Sequence, residues 1–243
     1  MKKVYQFSVN QKKTVEEKKE VEVNGEKLTK TEQVVKEIPR NFFLKKPNRS
    51  LWDQAELIHG IAWSEALKAG MLTEQLLFKK YSDEGGIFSR ASIEKRKELV
   101  KELGLQQREY ERLEAQEKTE DIKKQIDDVF KKISDIREEL IQYEQVEQSL
   151  YQNTAEARAR AKTTIWWVLQ LAYKDEDGKI SPLFGDGSYE DRLKVYDEYN
   201  EGEDPFWVEV VQRFLFYVTF YLSGRGKTEE DFKEIDKLFK VEN

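Results

Sequence analysis

The chain opens with a strict alternation of apolar and polar residues. Tyr5, Phe7 and Val9 share one parity, and so do Val15, Val21 and Val23, which is the period of a strand with one apolar face. Asn24-Gly25 follows, the pair favoured in a type I′ hairpin turn because both central residues need positive φ. Centring the turn there sets a register in which Val21 faces Leu28 and Val15 faces Val34, while the even positions of the first arm carry the opposite, polar face. The expectation is a small antiparallel β hairpin or three-stranded meander over residues 1–38. Its outer face is charged with Lys and Glu, which discourages edge-to-edge pairing. Ile38-Pro39 should end that unit, leaving residues 40–49 as a connector to the helices.

Beyond the connector the period lengthens to that of a helix. Asn48 or Ser50 can cap a first helix whose apolar positions run from Leu51 to Leu67 and stop at Gly70. Thr73 then caps a short helix carrying Leu76, Leu77, Phe78 and Tyr81, and Asp83-Glu84-Gly85-Gly86 breaks it. In the middle of the chain Ile122, Ile126, Val129, Ile133, Ile136, Leu140 and Tyr143 step by 4, 3, 4, 3, 4 and 3, the heptad seam of a coiled coil. Leu99, Leu103, Tyr110 and Leu113 repeat the spacing, with Gln106 in the remaining slot. Thr119 can cap a new helix between the two sets, so an antiparallel hairpin of two arms is favoured over one long helix that dimerises through its seam. The second arm should run on into the charge-free stretch from Thr163 to Tyr173. Residues 174–204 read as an acidic loop framing a helix near Ser188 to Tyr199. Asp204-Pro205 then starts a core helix over 206–222, and Thr228 begins a last amphipathic helix.

The fold class expected from this pattern is mainly α: a helical body with a protruding antiparallel coiled-coil hairpin and the N-terminal β hairpin or meander. In linear order the parts are the hairpin at 1–38, a linker with the first helical part of the body at 39–89, the helical arm at 90–150, and an aromatic-rich helical part of the body at 151–243. Composition sharpens this picture. Charged residues are 37% of the chain, and 29 of the 61 residues from 90 to 150 are charged, so much of the surface should lie on long exposed helices in an elongated shape. With 12 Gly and 4 Pro among 243 residues, an all-β sandwich has too few turns. No signal peptide is visible after Met1-Lys2-Lys3, and the most apolar stretch, 206–222, holds Glu209, Gln212 and Arg213, so neither secretion nor a membrane span is expected.

Residues suited to catalysis or metal binding are few. Cysteine is absent, which excludes disulfides and thiolate metal sites, and His59 is the single histidine. On a helix face without a nucleophile at matching spacing, it reads as structural. Ser223-Gly224-Arg225-Gly226-Lys227-Thr228 ends like a phosphate-binding loop, but Tyr221 stands where the first glycine is needed, and a helix C-cap followed by an N-cap explains the same letters. Asp175-Glu176-Asp177-Gly178 resembles half an EF-hand loop, but Tyr173 and Phe184 would occupy two ligand positions, so a polar turn is the better reading. Trp166, Trp167, Phe206 and Trp207 read as core. In the connector, Arg40, Lys45, Lys46 and Arg49 interleave with Phe42 and Phe43, and residues 1–47 carry 12 basic against 7 acidic side chains. Such a segment could track a single strand of nucleic acid, although a linker that docks both rings into the body, or an acidic protein partner, is the stronger expectation.

Asn48-Arg49, Glu56-Leu57, Ser64-Glu65-Ala66, Ala69-Gly70-Met71-Leu72-Thr73, Lys79-Lys80-Tyr81 and Gly85-Gly86 together resemble a pattern in uncharacterised proteins of large tailed bacteriophages. What that resemblance implies is a structural or morphogenesis role, as a minor virion component or a tail-assembly chaperone in the host cytoplasm or the assembled particle. It carries over no site residue. The residues themselves also favour a non-enzymatic docking protein with no cofactor, its partners being other protein chains or a second copy. The seam Ile122, Ile126, Val129, Ile133, Ile136, Leu140 and Tyr143 is the candidate partner-binding surface. Nucleic-acid binding by 40–49 is the alternative.

Overall fold

The computed structural model describes residues 2–23, 26–83, 86–176, 178–237 and 239; for 14–23 and 26–34 it describes the backbone pairing alone. Among these residues the fold is mainly α, with eight helices and a four-stranded antiparallel sheet. The chain divides into two compact units, residues 1–58 with 162–243, and residues 59–161.

In the first unit, β1 (Lys3–Val23) and β2 (Glu26–Lys45) pair antiparallel, with Val21 opposite Leu28 and Val15 opposite Val34. This is the register expected from the parity of the valines. The proposed turn residues Asn24 and Gly25 lie outside the described residues. The boundary expected at Ile38-Pro39 is corrected: β2 continues through both, and the supposed connector 40–45 is strand. Pro39 falls where β2 has β1 on one side only, the edge setting in which a missing N–H is tolerated. Farther on, β2 gains a second neighbour. Asn41 to Leu44 pair with β3 (Ala172–Glu176), which pairs in turn with β4 (Lys179–Pro182), giving the order β1-β2-β3-β4. This second hairpin replaces the first part of the expected acidic loop. Its strands are short and rich in charge, and Ala172 is their single buried residue. The signal that could have found it is Asp177-Gly178, which stands between the paired Glu176 and Lys179; Gly178 has φ +84° and its N–H donates to the Asp175 carboxylate at 3.0 Å.

One face of the sheet packs on helices. The odd residues Tyr5, Phe7 and Val9 are buried together with Phe42 and Leu44. They meet α7 (Pro205–Leu222) and α8 (Glu229–Asp236), with Phe7 5.0 Å from Tyr217, Tyr5 5.0 Å from Phe232, and Phe42 6.2 Å from Phe214, ring centre to ring centre. α7 is the central helix expected: Phe206, Val210, Phe214, Tyr217 and Val218 recur at helical spacing and are buried. Asp204 accepts the Phe206 N–H at its start, and Pro205 takes the first helical position. Trp166 and Trp167 on the second half of α5 (Ala155–Leu171) are buried, and Trp207 stacks on Tyr199 of α6 (Tyr189–Glu201) at 4.2 Å, so the tryptophans serve as core. Gly224, at φ +74°, ends α7, and Thr228 opens α8 with a capping box to Asp231, which accounts for the phosphate-loop-like letters.

The second unit holds the later part of α1 (Arg49–Lys68), α2 (Glu74–Asp83), α3 (Arg90–Glu114), α4 (Glu120–Gln152) and the first part of α5. Asn48 proves to be the cap of α1, accepting the Leu51 N–H at 3.0 Å, and Thr73 caps α2. The second arm does not run unbroken into the core. Asn153 and Thr154 interrupt it; the buried Thr154 hydroxyl donates to Tyr151 O at 2.7 Å and accepts the Ala157 N–H at 3.2 Å, which ends one helix and caps the next. Across the break, the Ala155 N–H reaches Leu72 O at 2.9 Å and Glu156 accepts the Glu74 N–H at 2.9 Å, placing a carboxylate at the N-terminus of α2.

Candidate functional site

The feature of the second unit that most departs from an ordinary helical core is the α3–α4 pair and the ground beside it. Ser89 caps α3 and Thr119 caps α4, each hydroxyl accepting a backbone N–H at 3.3 Å. The short link between the helices turns the chain back on itself. Lys95 then reaches Glu139 at 2.5 Å, Arg96 reaches Glu147 at 2.7 Å, and Tyr110 lies against Phe130 at 6.4 Å, so early residues of α3 meet late residues of α4. The hydrogen bond to Glu139 raises the Lys95 ammonium above the ordinary lysine range.

Every residue of the predicted seam faces inward to some degree. Val129, Ile133 and Ile136 are buried, and Ile122, Ile126, Leu140 and Tyr143 are half-buried. Their counterparts on α3 behave alike: Leu99 and Leu113 are buried, and Leu103, Gln106 and Tyr110 are half-buried. Leu113, Val129 and Ile133 form the centre of a small core, packed by Leu103, Tyr110, Ile122 and Ile126. The stripe read as a partner surface is therefore spent largely within the chain, on α3.

What the seam leaves outside is another set of apolar side chains. Phe78 on α2 is 45% exposed, and Ile93 and Val100 on α3 are 38% and 55% exposed. They wall a groove of about 440 Å³ whose floor includes the buried Phe88, 5.1 Å from Phe78 and 5.6 Å from Tyr151. Burial raises the Tyr151 hydroxyl above the ordinary tyrosine pKa, and Glu147 and Glu74 add to the rise. Arg96, Lys97 and Glu147 lie at the rim. A second depression, about 480 Å³, lies beside Tyr143 and the 52%-exposed Val146 and shares Ile87 and Ser92 with the first. Such apolar walls with a few charges suit a side chain of another protein. The signal was present in the sequence: Ile93 and Val100 stand seven residues apart, and Val100 is next to the seam residue Leu99.

The alternative surface comes out differently. Phe42 and Phe43 are fully buried, Phe42 among the core rings and Phe43 stacked 5.5 Å from Tyr173 with the Lys3 ammonium 4.5 Å over its ring. Arg40 is ion-paired with Glu176, and the Lys45 ammonium donates to the Tyr173 hydroxyl at 3.3 Å. Lys46 and Arg49 lie exposed beyond the strand. Rings held in a core give no platform on which bases could stack.

The first unit also contains a polar cleft of about 770 Å³ near Asn10, Glu37, Asp204 and Arg213. Arg213, buried on α7, is paired with Glu209 at 2.7 Å and with Asp236 at 3.2 Å, and Tyr217 donates to the same Asp236 at 2.5 Å. The cation is thus neutralised by acids of its own fold. His59 is exposed on α1, and among the described residues there is no group of three or more His, Cys, Asp or Glu placed to hold a metal ion. Among the same residues no helix is long and apolar enough to cross a membrane. No family model, curated protein or solved structure matches the chain.

Proposed function

We propose that this protein is a non-enzymatic structural or assembly protein that docks partner chains on the groove beside α3, within a tailed-phage particle or its assembly line in the host. The observation that carries the docking reading is the row Phe78, Ile93 and Val100: large apolar side chains left in solvent around a groove, next to a helix pair whose own seam is already filled. The phage assignment rests on the resemblance of residues 48–86 alone, and the partner it implies is another structural protein of the particle.

The test pairs purified full-length protein with purified candidate tail and capsid proteins, read by light scattering and calorimetry. The expected result is a defined complex that Phe78→Asp with Val100→Asp weakens at least about tenfold while the far-ultraviolet circular dichroism stays unchanged. Absence of any complex at about 100 μM, or equal binding by the double variant, overturns the reading.

A further inference from the structure

α3 carries a second stripe beside its seam. Ile93, Lys97, Val100 and Gly104 step by 4, 3 and 4 along the helix and so share one flank of it, Val100 and Gly104 directly following the seam residues Leu99 and Leu103. Ile93, Lys97 and Val100 are exposed, and all three line the groove beside Phe78. Gly104 is the anomaly of the row. In the middle of a helix glycine is destabilising relative to alanine, because it loses the most backbone freedom on folding. Gly104 is not among the positive-φ glycines, and no atom beyond the adjoining helix backbone lies within 4 Å of where its Cβ would stand. Neither its backbone conformation nor a neighbour among the described residues calls for glycine there. A bare backbone on an outer helix face lets another chain come close.

What fits that gap stands on the same stripe. Laid antiparallel on itself about a two-fold axis midway between Lys97 and Val100, the stripe sets Ile93 over Gly104 of the second copy and Lys97 against Val100 of the second copy, and the symmetry repeats both contacts. Ile93 supplies the bulk that Gly104 lacks, and the Lys97 stem lies along an apolar neighbour while its ammonium stays in water. The charges agree with the shape. Glu94 and Lys101 stand one residue past Ile93 and Val100 on the same edge of the stripe, and the rotation brings Glu94 beside Lys101 of the second copy, twice. Glu94 already holds Lys97 of its own chain at 2.8 Å, so it lies between two cations. On the other edge the charge of Arg96 is held by Glu147 at 2.7 Å. A parallel pairing would instead set Ile93 on Ile93, Gly104 on Gly104, Glu94 on Glu94 and Lys101 on Lys101, losing both matches.

We propose that the flank of α3 formed by Ile93, Lys97, Val100 and Gly104 is where two copies of the chain associate, α3 against α3 and antiparallel. This rests on the reading of the groove beside α3 as a docking surface, and it names a second copy of the chain as the occupant. The stripe is about 17 Å long at ~1.5 Å per residue, so a contact one helix wide buries on the order of 500 Å² in total, below the range of stable complexes. A weak dimer with a Kd on the order of 100 μM is the expected form.

Sedimentation of the full chain over a concentration series in low salt tests it with three variants. Glu94→Lys makes the edge of the stripe cationic and Lys101→Glu makes it anionic. Each alone should lose association at least about fivefold, and an equimolar mixture should recover it as a heterodimer, since opposite charges then meet at both contacts. Recovery in the mixture also shows that neither variant has simply unfolded. Gly104→Gln should weaken the dimer at least about tenfold while the melting temperature of the dilute protein stays the same or rises by about 2–4 °C, because glutamine is the better helix former. A wild-type chain that stays monomeric at about 500 μM, a Gly104→Gln variant that associates as the wild type does or melts lower, or a mixture that associates no better than its components would each overturn the proposal. The docking reading survives such a failure if a tail or capsid protein still binds the wild type and binds the Phe78→Asp, Val100→Asp double variant more weakly; if that binding is missing as well, both fall.

Discussion

Truncating Leu113 to alanine puts a number on what closes the α3–α4 pair. Leu113 is 1% exposed and packs with Val129 and Ile133. The substitution removes three buried carbons at about 0.8 kcal/mol each, roughly 2.5 kcal/mol, and the space left unfilled adds to that. A loss of about 3 kcal/mol is expected, on the order of a hundredfold in the local folding equilibrium. Leu105→Ala is the matched control: it makes the same chemical change on the same helix at a residue 52% exposed, and should stay within about 0.5 kcal/mol. Urea titrations followed by circular dichroism and by tryptophan fluorescence separate the two units, because Trp52, Trp166, Trp167 and Trp207 belong to the first and Trp63 to the second. In Leu113→Ala the helical signal should begin to fall at lower urea, with the fluorescence midpoint near that of the wild type. Amide exchange should rise along α3 and α4 and not along the paired residues 5–9 and 40–44. Equal midpoints for Leu113→Ala and Leu105→Ala would refute the assignment of this cluster as the centre of the pair.

Two further outcomes follow from the first unit. Burial holds the Tyr5 hydroxyl up to about 12 and pushes that of Tyr217 higher still, with its hydrogen bond to Asp236 adding to the rise. Because tyrosine in an unfolded chain ionises near ~10, the native state keeps protons that the unfolded state gives up, so this stability is complete below pH ~10 and is lost as pH rises through about 12. Tyrosinate absorbance and circular dichroism recorded on one alkaline titration should show a late fraction of tyrosines ionising together with loss of structure, and ionisation of all eleven well before unfolding would contradict this. Asp236→Ala leaves the buried Arg213 with Glu209 as its remaining ion-pair partner and leaves Tyr217 without its acceptor, at an expected cost of about 3 kcal/mol in thermal unfolding; a change under about 0.5 kcal/mol would show that the cluster carries no stability.

The parts of the fold legible from sequence were those in which local chemistry and periodicity agree. Asn24-Gly25 and the parity of Val15, Val21, Leu28 and Val34 point to one register, and no distant contact is needed to choose it. The same holds for the seam of α4, sustained from Ile122 to Tyr143, and for the caps at Thr119, Asp204 and Thr228. What stayed hidden depends on residues far away in the chain. β3 and β4 are too short and too charged to announce themselves, and exist as strands because Asn41 to Leu44 present an edge to them. That same pairing makes strand of the segment that looked like a basic connector, while the burial of Phe42 and Phe43 is the outcome the sequence favoured. Thr154 sits in a helical-looking context, and its role as a break rests on the Leu72 carbonyl that meets the next residue. The candidate site was half visible. Periodicity found the residues that close the helix pair, but the groove is walled by those that fall out of step with it, and their significance depends on where α2 lies.

The discontinuity of the first unit also imposes an order on synthesis. Tyr5, Phe7 and Phe42 leave the ribosome long before Phe214 and Tyr217, the rings they pack against. About 175 residues separate Phe42 from Tyr217, so at ~5–20 residues per second the aromatic strands wait about 9–35 s for their partners. The helix pair needs only its own neighbours and finishes within that interval. A nascent chain of this protein therefore carries a completed middle and an unsheltered beginning, and it is the beginning that a ribosome-bound chaperone would have to hold.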